Sequence, residues 1–153
     1  MGNFYTDTIK TDPRFKSLKP IGDINLLEPV MHKAVKEIIA EAAEDGIKLM
    51  VFESYRSQAR QTKLFEQGAT QLKVVGVHHY GLACDLVKNV GGSPSWKGDF
   101  GFLGKLAKKH DLVWGGSWRG FTDEVHVQRC AVKDQKKLFA GTWYPDKDYD
   151  PLK

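Results

Sequence analysis

The residues equipped for chemistry gather in two short stretches. One reads His78-His79-Tyr80-Gly81-Leu82-Ala83-Cys84-Asp85 and the other Asp123-Glu124-Val125-His126. Asp85 stands inside an otherwise apolar run, 82–87, where a buried carboxylate is costly unless it is paired or bound to a metal. Gly81 and Ala83 are small enough for the backbone to bring His78 and Asp85 together. Two imidazoles and a carboxylate form a donor set that suits zinc. Three protein ligands leave a fourth position for water, which then ionises near neutral pH. Asp123, three residues before His126, can lie beside such a metal without ligating it. There it would take a proton as general base and return it to a leaving amine. Taken singly, each of these residues also reads as an ordinary surface or turn residue, and His-x6-Asp alone is a weak pattern. Of the other histidines, His110 reads as a helix-end residue, where the dipole favours it, and His32 as a surface residue.

The elements that must position these residues follow from periodicity. Asn25 with Glu28 three residues on predicts a helix start with Pro29 in its first turn. Leu27, Met31, Ala34, Val35, Ile38 and Ala42 recur at helical spacing up to Gly46. Residues 47–53 form a short, bounded apolar run and read as a buried strand. Ser57 caps a second helix to about Gln67, closed by Gly68. Residues 74–80 read as loop or irregular strand, 82–87 as a strand, and 89–97 as a loop with Gly91, Gly92 and Pro94. A third helix follows Asp99, ending in Lys108, Lys109 and His110. Residues 112–114 and 125–129 read as strands around a Gly115-Gly116 turn, and a short helix starts near Asp134. Helices and strands are interspersed without strict alternation, which indicates an α+β fold.

Composition bounds the rest. The chain has 153 residues, the length of one domain, expected to span 1–153 with its core at about 26–140 and a Pro- and Asp-rich tail, 144–153, that frays. Hydrophobic residues at 41% and charged residues at 27% exclude a wholly disordered chain. Net charge is +4 and the isoelectric point about 9.0, which suits an anionic partner but falls short of a nucleic-acid-binding stripe. Nucleic acid is therefore not expected as a partner. No apolar run approaches a membrane span of about 20 residues, so no stable membrane association is expected. The start, MGNFYTDTIKTDPRF, has no signal-peptide h-region, which points to synthesis in the cytoplasm. It also fits the loose myristoylation pattern, but one acyl chain without a basic segment anchors only marginally. Cys84 and Cys130 are too few for a disulfide scaffold and are expected to be free thiols.

The pattern His-x-x-Gly-x-Ala-x-Asp followed by Asp-x-x-His resembles the zinc D-alanyl-D-alanine carboxypeptidase and L-alanyl-D-glutamate peptidase family. These are VanY/VanX-like peptidoglycan peptidases that include many phage endolysins. Glu53-Ser54-Tyr55-Arg56-Ser57 resembles the family's Gly-Tyr-Arg-Ser element, with Gln61 and Gly68 in its following helix. Trp114-Gly115-Gly116-Ser117-Trp118 resembles its Trp-Gly-Gly-x-Trp element. The likeness runs from about Leu26 to Ala140. It implies a hedgehog/DD-peptidase-like α+β fold, with a small antiparallel sheet and flanking helices. It also implies Zn2+ held by His78, Asp85 and His126, with His78 chosen over His79 by the spacing to Gly81 and Asp85. Asp123 would be the catalytic carboxylate, and Arg56 would steady the substrate carbonyl and its oxyanion. Trp114 and Trp118 either wall the substrate cleft or sit in the core. Arg60 either meets a substrate carboxylate or is a hydrated surface residue. Glu53 stands where many members carry Gly, Gly76 where Ser is frequent, and Val127-Gln128 where Phe-Glu is common.

The function so implied is a zinc-dependent endopeptidase, of phage endolysin type, cutting the L-alanyl–D-glutamate bond of the bacterial peptidoglycan stem peptide. It would be monomeric and act on the cell wall, reaching it from the host cytoplasm by a route such as a holin pore. Two alternatives stand beside it. One is a D-alanyl-D-alanine carboxypeptidase or dipeptidase, with the same metal chemistry and a different pocket. The other is a non-catalytic, zinc-bound wall-binding module.

Overall fold

The computed structural model describes residues 3–69, 76–120 and 122–145. The myristoylation pattern at Met1-Gly2, part of the 74–80 stretch and most of the C-terminal tail lie outside the described residues. Four helices, α1 (Pro29–Glu44), α2 (Gln58–Glu66), α3 (Gly101–Lys109) and α4 (Gln135–Phe139), accompany five strands. The strands are β1 (Leu49–Glu53), β2 (Ala83–Val90), β3 (Ser93–Ser95), β4 (Val113–Trp114) and β5 (His126–Gln128). All pairings are antiparallel, in the order β1-β2-β5-β4, with β3 hairpinned onto β2. This is the small antiparallel sheet with flanking helices that the sequence implied.

The first long helix starts later than its apparent capping box. Glu28 precedes Pro29, and the proline ring disfavours the helical region for the residue before it. Glu28 is accordingly extended and becomes the N-cap of α1, its side chain accepting from the Met31 amide at 2.7 Å. Asn25 instead belongs to a separate 3-10 turn, Ile24–Leu26, capped by Asp23. Met31, Ala34, Val35, Ile38 and Ala42 form the buried stripe of α1, packed with α3 and the sheet in the main core. Ser57 caps α2 as expected, accepting from the Arg60 amide at 3.0 Å.

Residues 89–97 are not a plain loop. β2 runs on to Val90, turns at Gly91-Gly92 and returns as β3, the two-residue connection favoured in tight hairpins. That return carries Trp96 back to the Phe52 ring, edge-on at 4.8 Å between centroids. At the far end of the chain, Tyr144 is docked and not frayed, its hydroxyl donating to the Tyr80 carbonyl at 2.8 Å. His110 ends α3 as expected and meets Glu41 and Glu37 of α1 at 2.6 and 3.2 Å.

Two of these features bear directly on the chemistry-bearing stretches. Asp85 and His126 are direct cross-strand partners, so both point to one face, while the pair beside them, Cys84 and Val127, points into the main core. The 3-10 turn Val77–Tyr80, which carries His78, ends at Gly81 in a left-handed conformation with φ of 73°. A Cβ there would meet Leu26 O at 2.7 Å and Ile9 Cδ1 at 2.8 Å. Only glycine therefore satisfies both the dihedral and the packing. Gly81→Ala is expected to lower stability by about 2–4 kcal/mol, the sum of the left-handed penalty and an overpacking term. Urea denaturation measures this, and an unchanged midpoint would mean that the turn yields without strain.

Candidate metal centre and its cavity

His78, Asp85 and His126 are all buried, and each offers one ligand atom such that the three lie within 4.8 Å of one another. His78 Nε2 and His126 Nδ1 stand 3.2 and 3.3 Å from the same oxygen, Asp85 Oδ1. Charge-assisted hydrogen bonds usually close to about 2.7–2.9 Å. Two atoms each about 2.0–2.1 Å from one tetrahedral ion stand roughly 3.3–3.4 Å apart, so the observed spacing fits shared coordination better. The outer nitrogens agree. His78 Nδ1 faces the Ser54 carbonyl at 3.3 Å, and His126 Nε2 faces Gln128 Oε1 at 2.7 Å. Each ring can thus keep its proton on the outer nitrogen and aim a lone pair inward, the arrangement found behind metal-ligating histidines. The residues present fit a zinc ion.

Burial by itself would raise the pKa of Asp85. His78 and His126 outweigh it and hold the carboxyl well below the ordinary carboxylate range. His126 shows the reciprocal effect: burial works to lower its pKa, and the bond to Asp85 leaves it above the usual imidazole value.

His79 lies elsewhere. Its ring is packed among Tyr5, Phe15, Tyr55 and Tyr80, with Nε2 at 2.7 Å from the Tyr5 hydroxyl, and burial lowers its pKa. It joins the N-terminal segment to the Glu53–Ser57 loop, touching the Arg56 carbonyl at 3.3 Å. The same segment holds that loop at other points. Ser54 Oγ donates to Asp23 O at 2.7 Å, Tyr55 Oη to Phe15 O at 2.6 Å, and Ser57 Oγ to Ser17 O.

A cavity of about 570 Å³ opens over the cluster, lined among others by Glu53, Arg56, Arg60, Trp118, Arg119 and Asp123. Asp123 is brought there by the Gly115-Gly116 turn. Its amide donates to Gly115 O at 3.0 Å, and its own carbonyl lies so close over Gly115 that a side chain at Gly115 could not be accommodated. Burial, reinforced by Asp85, raises the Asp123 pKa, with His126, His78 and Arg56 acting in the opposite sense. A carboxylate so shifted is a better proton acceptor near neutral pH.

Arg56 donates to Glu53 Oε1 at 2.8 Å and Gln61 Oε1 at 3.2 Å, and approaches Asp85 Oδ2 at 3.5 Å. It is therefore anchored against the oxygen of Asp85 that the histidines leave free. Burial works to lower its pKa, but Glu53, Asp85 and Asp123 more than offset this and raise it. Arg60 is not the hydrated surface residue that was one of its two readings. Its side chain is 12% exposed and its Nε donates to Glu53 Oε2. The two tryptophans separate. Trp118 lines the cavity, its ring 5.1 Å from that of His126. Trp114 lies outside the lining; its ring is seated over Gly104 and Gly116, and Nε1 donates to Glu124 O at 2.7 Å. A cleft-wall role for Trp114 is corrected accordingly: the two glycines draw the indole against α3.

Sequence reasoning missed the part played by Glu53. A β-bulge between Val51 and Glu53 shifts the register so that Glu53 pairs with Asp85. Phe52 and Glu53, although consecutive, both line the cavity as a result. Period-two alternation could not have signalled this. For Gln128 it could: two residues past His126 on a strand is the same face. Both cysteines are free and buried; burial pushes the Cys130 thiol up to about 11. Cys130 lies past the end of β5, so it does not share the metal face.

Two family models, both described as D-alanyl-D-alanine carboxypeptidase, match residues 70–129 and 24–97. Together the two matches run from residue 24 to residue 129, so the chain resembles these peptidases across the stretch that carries Arg56, His78, Asp85, Asp123 and His126. Among curated proteins it is 29% identical over 121 residues to the peptidoglycan L-alanyl-D-glutamate endopeptidase CwlK of Bacillus subtilis, covering 67% of this chain and 72% of CwlK. It is also 29% identical over 115 residues to the L-alanyl-D-glutamate peptidase of Listeria phage A118. That match covers 72% of this chain and only 40% of the phage protein. The fold is that of the Serratia marcescens L-Ala D-Glu endopeptidase ChiX, with a TM-score of 0.59 at 24% identity over 72% of this chain and 85% of ChiX. Among the described residues, no helix is long and apolar enough to cross a membrane.

Glu53 sets the charge balance of the site. It is 1% exposed and faces two largely buried guanidinium groups. Glu53→Ala would strand both and is expected to cost about 3–5 kcal/mol, as for other broken buried pairs, with Glu53→Gln milder. Chemical denaturation measures this; wild-type stability in the alanine variant would mean that solvent compensates both arginines.

Proposed function

We propose that this chain is a zinc-dependent peptidase that hydrolyses the L-alanyl–D-glutamate bond of the bacterial peptidoglycan stem peptide. The observation that carries the reading is the convergence of His78, Asp85 and His126 with a separate carboxylate, Asp123, in one cavity. The names of the two curated relatives supply the bond.

In this mechanism His78, Asp85 and His126 would hold the ion, with Nε2, Oδ1 and Nδ1 the atoms they turn toward one another. Bound zinc supplies Lewis-acid polarisation of a carbonyl and makes water ionisable near neutral pH. Asp123, with its raised pKa, takes the proton from the attacking water and delivers it to the departing D-glutamyl nitrogen. Arg56 is fixed by Glu53 and Gln61, so its charge stands ready for the developing oxyanion without reorganisation. The Ser54 carbonyl and Gln128 hold the two imidazoles in their ligating tautomers. A net charge of +4 assists approach to an anionic wall.

The family description favours a second reading, a D-alanyl-D-alanine carboxypeptidase, which uses the same residues on a different bond. Digestion of purified sacculi, with and without chelator, decides between them. New amino-terminal D-glutamate supports the proposal and released D-alanine supports the alternative. Wall binding without any cleavage would favour a non-catalytic module.

The residue assignments make separate predictions. Asp123→Ala is expected to retain zinc and lose about 10²–10⁴-fold in turnover, the usual range for a general base. His78→Ala is expected to lose zinc, whereas His79→Ala keeps it and loses packing instead. Metal analysis of the purified variants checks all three, and zinc loss from Asp123→Ala would make that residue a ligand.

A further inference from the structure

We infer that Arg119 reads the free carboxylate of the substrate's D-glutamyl residue and so makes the enzyme prefer unamidated stem peptides. This rests on the L-alanyl–D-glutamate reading above.

Three arginines line the cavity: Arg56, Arg60 and Arg119. Two are already matched. Glu53 accepts from Arg56 through Oε1 and from Arg60 through Oε2, so one buried carboxylate faces both guanidinium groups. Arg119 differs. It is exposed, and among the described residues its side chain makes no ion pair or hydrogen bond. It lines the cavity directly after Trp118, whose ring lies 5.1 Å from that of His126 on β5, whereas Glu53 and its two arginines come from β1 and the segment that follows it.

Asp123, the lining carboxylate outside the candidate metal cluster and outside the Glu53 pairings, repels an incoming anion. A substrate carboxylate therefore needs a cation that is free to turn toward it, and Arg119 is the lining arginine that no carboxylate holds among the described residues.

The substrate supplies the complement. In the stem peptide the D-glutamyl residue continues the chain through its γ-carboxyl. Its α-carboxyl, next to the scissile nitrogen, is left free as a carboxylate or is capped as a carboxamide. A guanidinium fork takes a carboxylate through two charge-assisted bonds. It takes a carboxamide oxygen through fewer bonds and without charge attraction. One site residue thus separates two wall chemistries that differ by a single group.

The test uses two synthetic stem tetrapeptides, identical except for an α-carboxylate or an α-carboxamide on the D-glutamyl residue. Each is digested by the zinc-loaded wild type, Arg119→Ala and Arg119→Lys. The wild type is expected to prefer the carboxylate peptide. Arg119→Ala should lose about tenfold or more in kcat/KM on it, mainly through KM, the size of one charge-assisted contact. The same variant should stay within about twofold of wild type on the carboxamide peptide, with zinc content unchanged. Arg119→Lys should recover part of the preference. Equal losses on both peptides, or loss on neither, overturn the role of Arg119. The cleaved bond is identified from the wild-type products. A wild type that releases D-alanine, and no fragment with a new D-glutamyl amino terminus, overturns the bond assignment itself, whatever Arg119 does.

Discussion

The buried carboxylate of Asp85 is the constraint around which the molecule is arranged. A strand that is otherwise apolar carries a charge into the interior, and such a charge persists only if its surroundings answer it. Three separate pieces of chain do so. His78 comes from a 3-10 turn, His126 from the neighbouring strand, and Arg56 from the loop after β1. The left-handed Gly81, the cross-strand register of β2 with β5 and the bulge in β1 all serve that meeting. Asp85 and the two histidines that answer it are also a donor set that fits zinc, so a feature that strains folding is the same feature that suits a metal.

The second organising group is Glu53. Its effect is electrostatic. By facing Arg56 and Arg60 together it fixes two otherwise mobile cations in place. Arg56 thereby becomes a brace for Asp85, whereas Arg119 has no carboxylate partner among the described residues. The loop bearing Arg56 is fastened from behind by carbonyls of residues 15–23, with Tyr5 reaching His79. The N-terminal segment is thus part of the site's support.

The Trp-Gly-Gly-Ser-Trp stretch divides its labour. Trp114 is an internal wedge over Gly104 and Gly116 that ties the turn to α3. Gly115 admits the Asp123 backbone, and Trp118 turns to the cavity beside His126. The position of Asp123 is therefore a packing result, set by how closely two backbones approach.

The sequence by itself determined the family resemblance, the α+β class, the His78, Asp85 and His126 cluster and the helix caps at Ser57 and, in part, Glu28. These are local signals: a ligand spacing, a period, a capping residue. What lay beyond it were matters of register and proximity. The bulge that turns Glu53 toward Asp85 changes no local pattern. The hairpin at Gly91-Gly92 reads as a loop until β3 is seen paired. Pro29 moved the helix start through the residue before it, an effect present in the sequence but outweighed there by an attractive capping box. Arg60 and Arg119 are the same residue type with opposite fates, because only tertiary structure decides which cation finds a buried carboxylate and which is left facing the cavity.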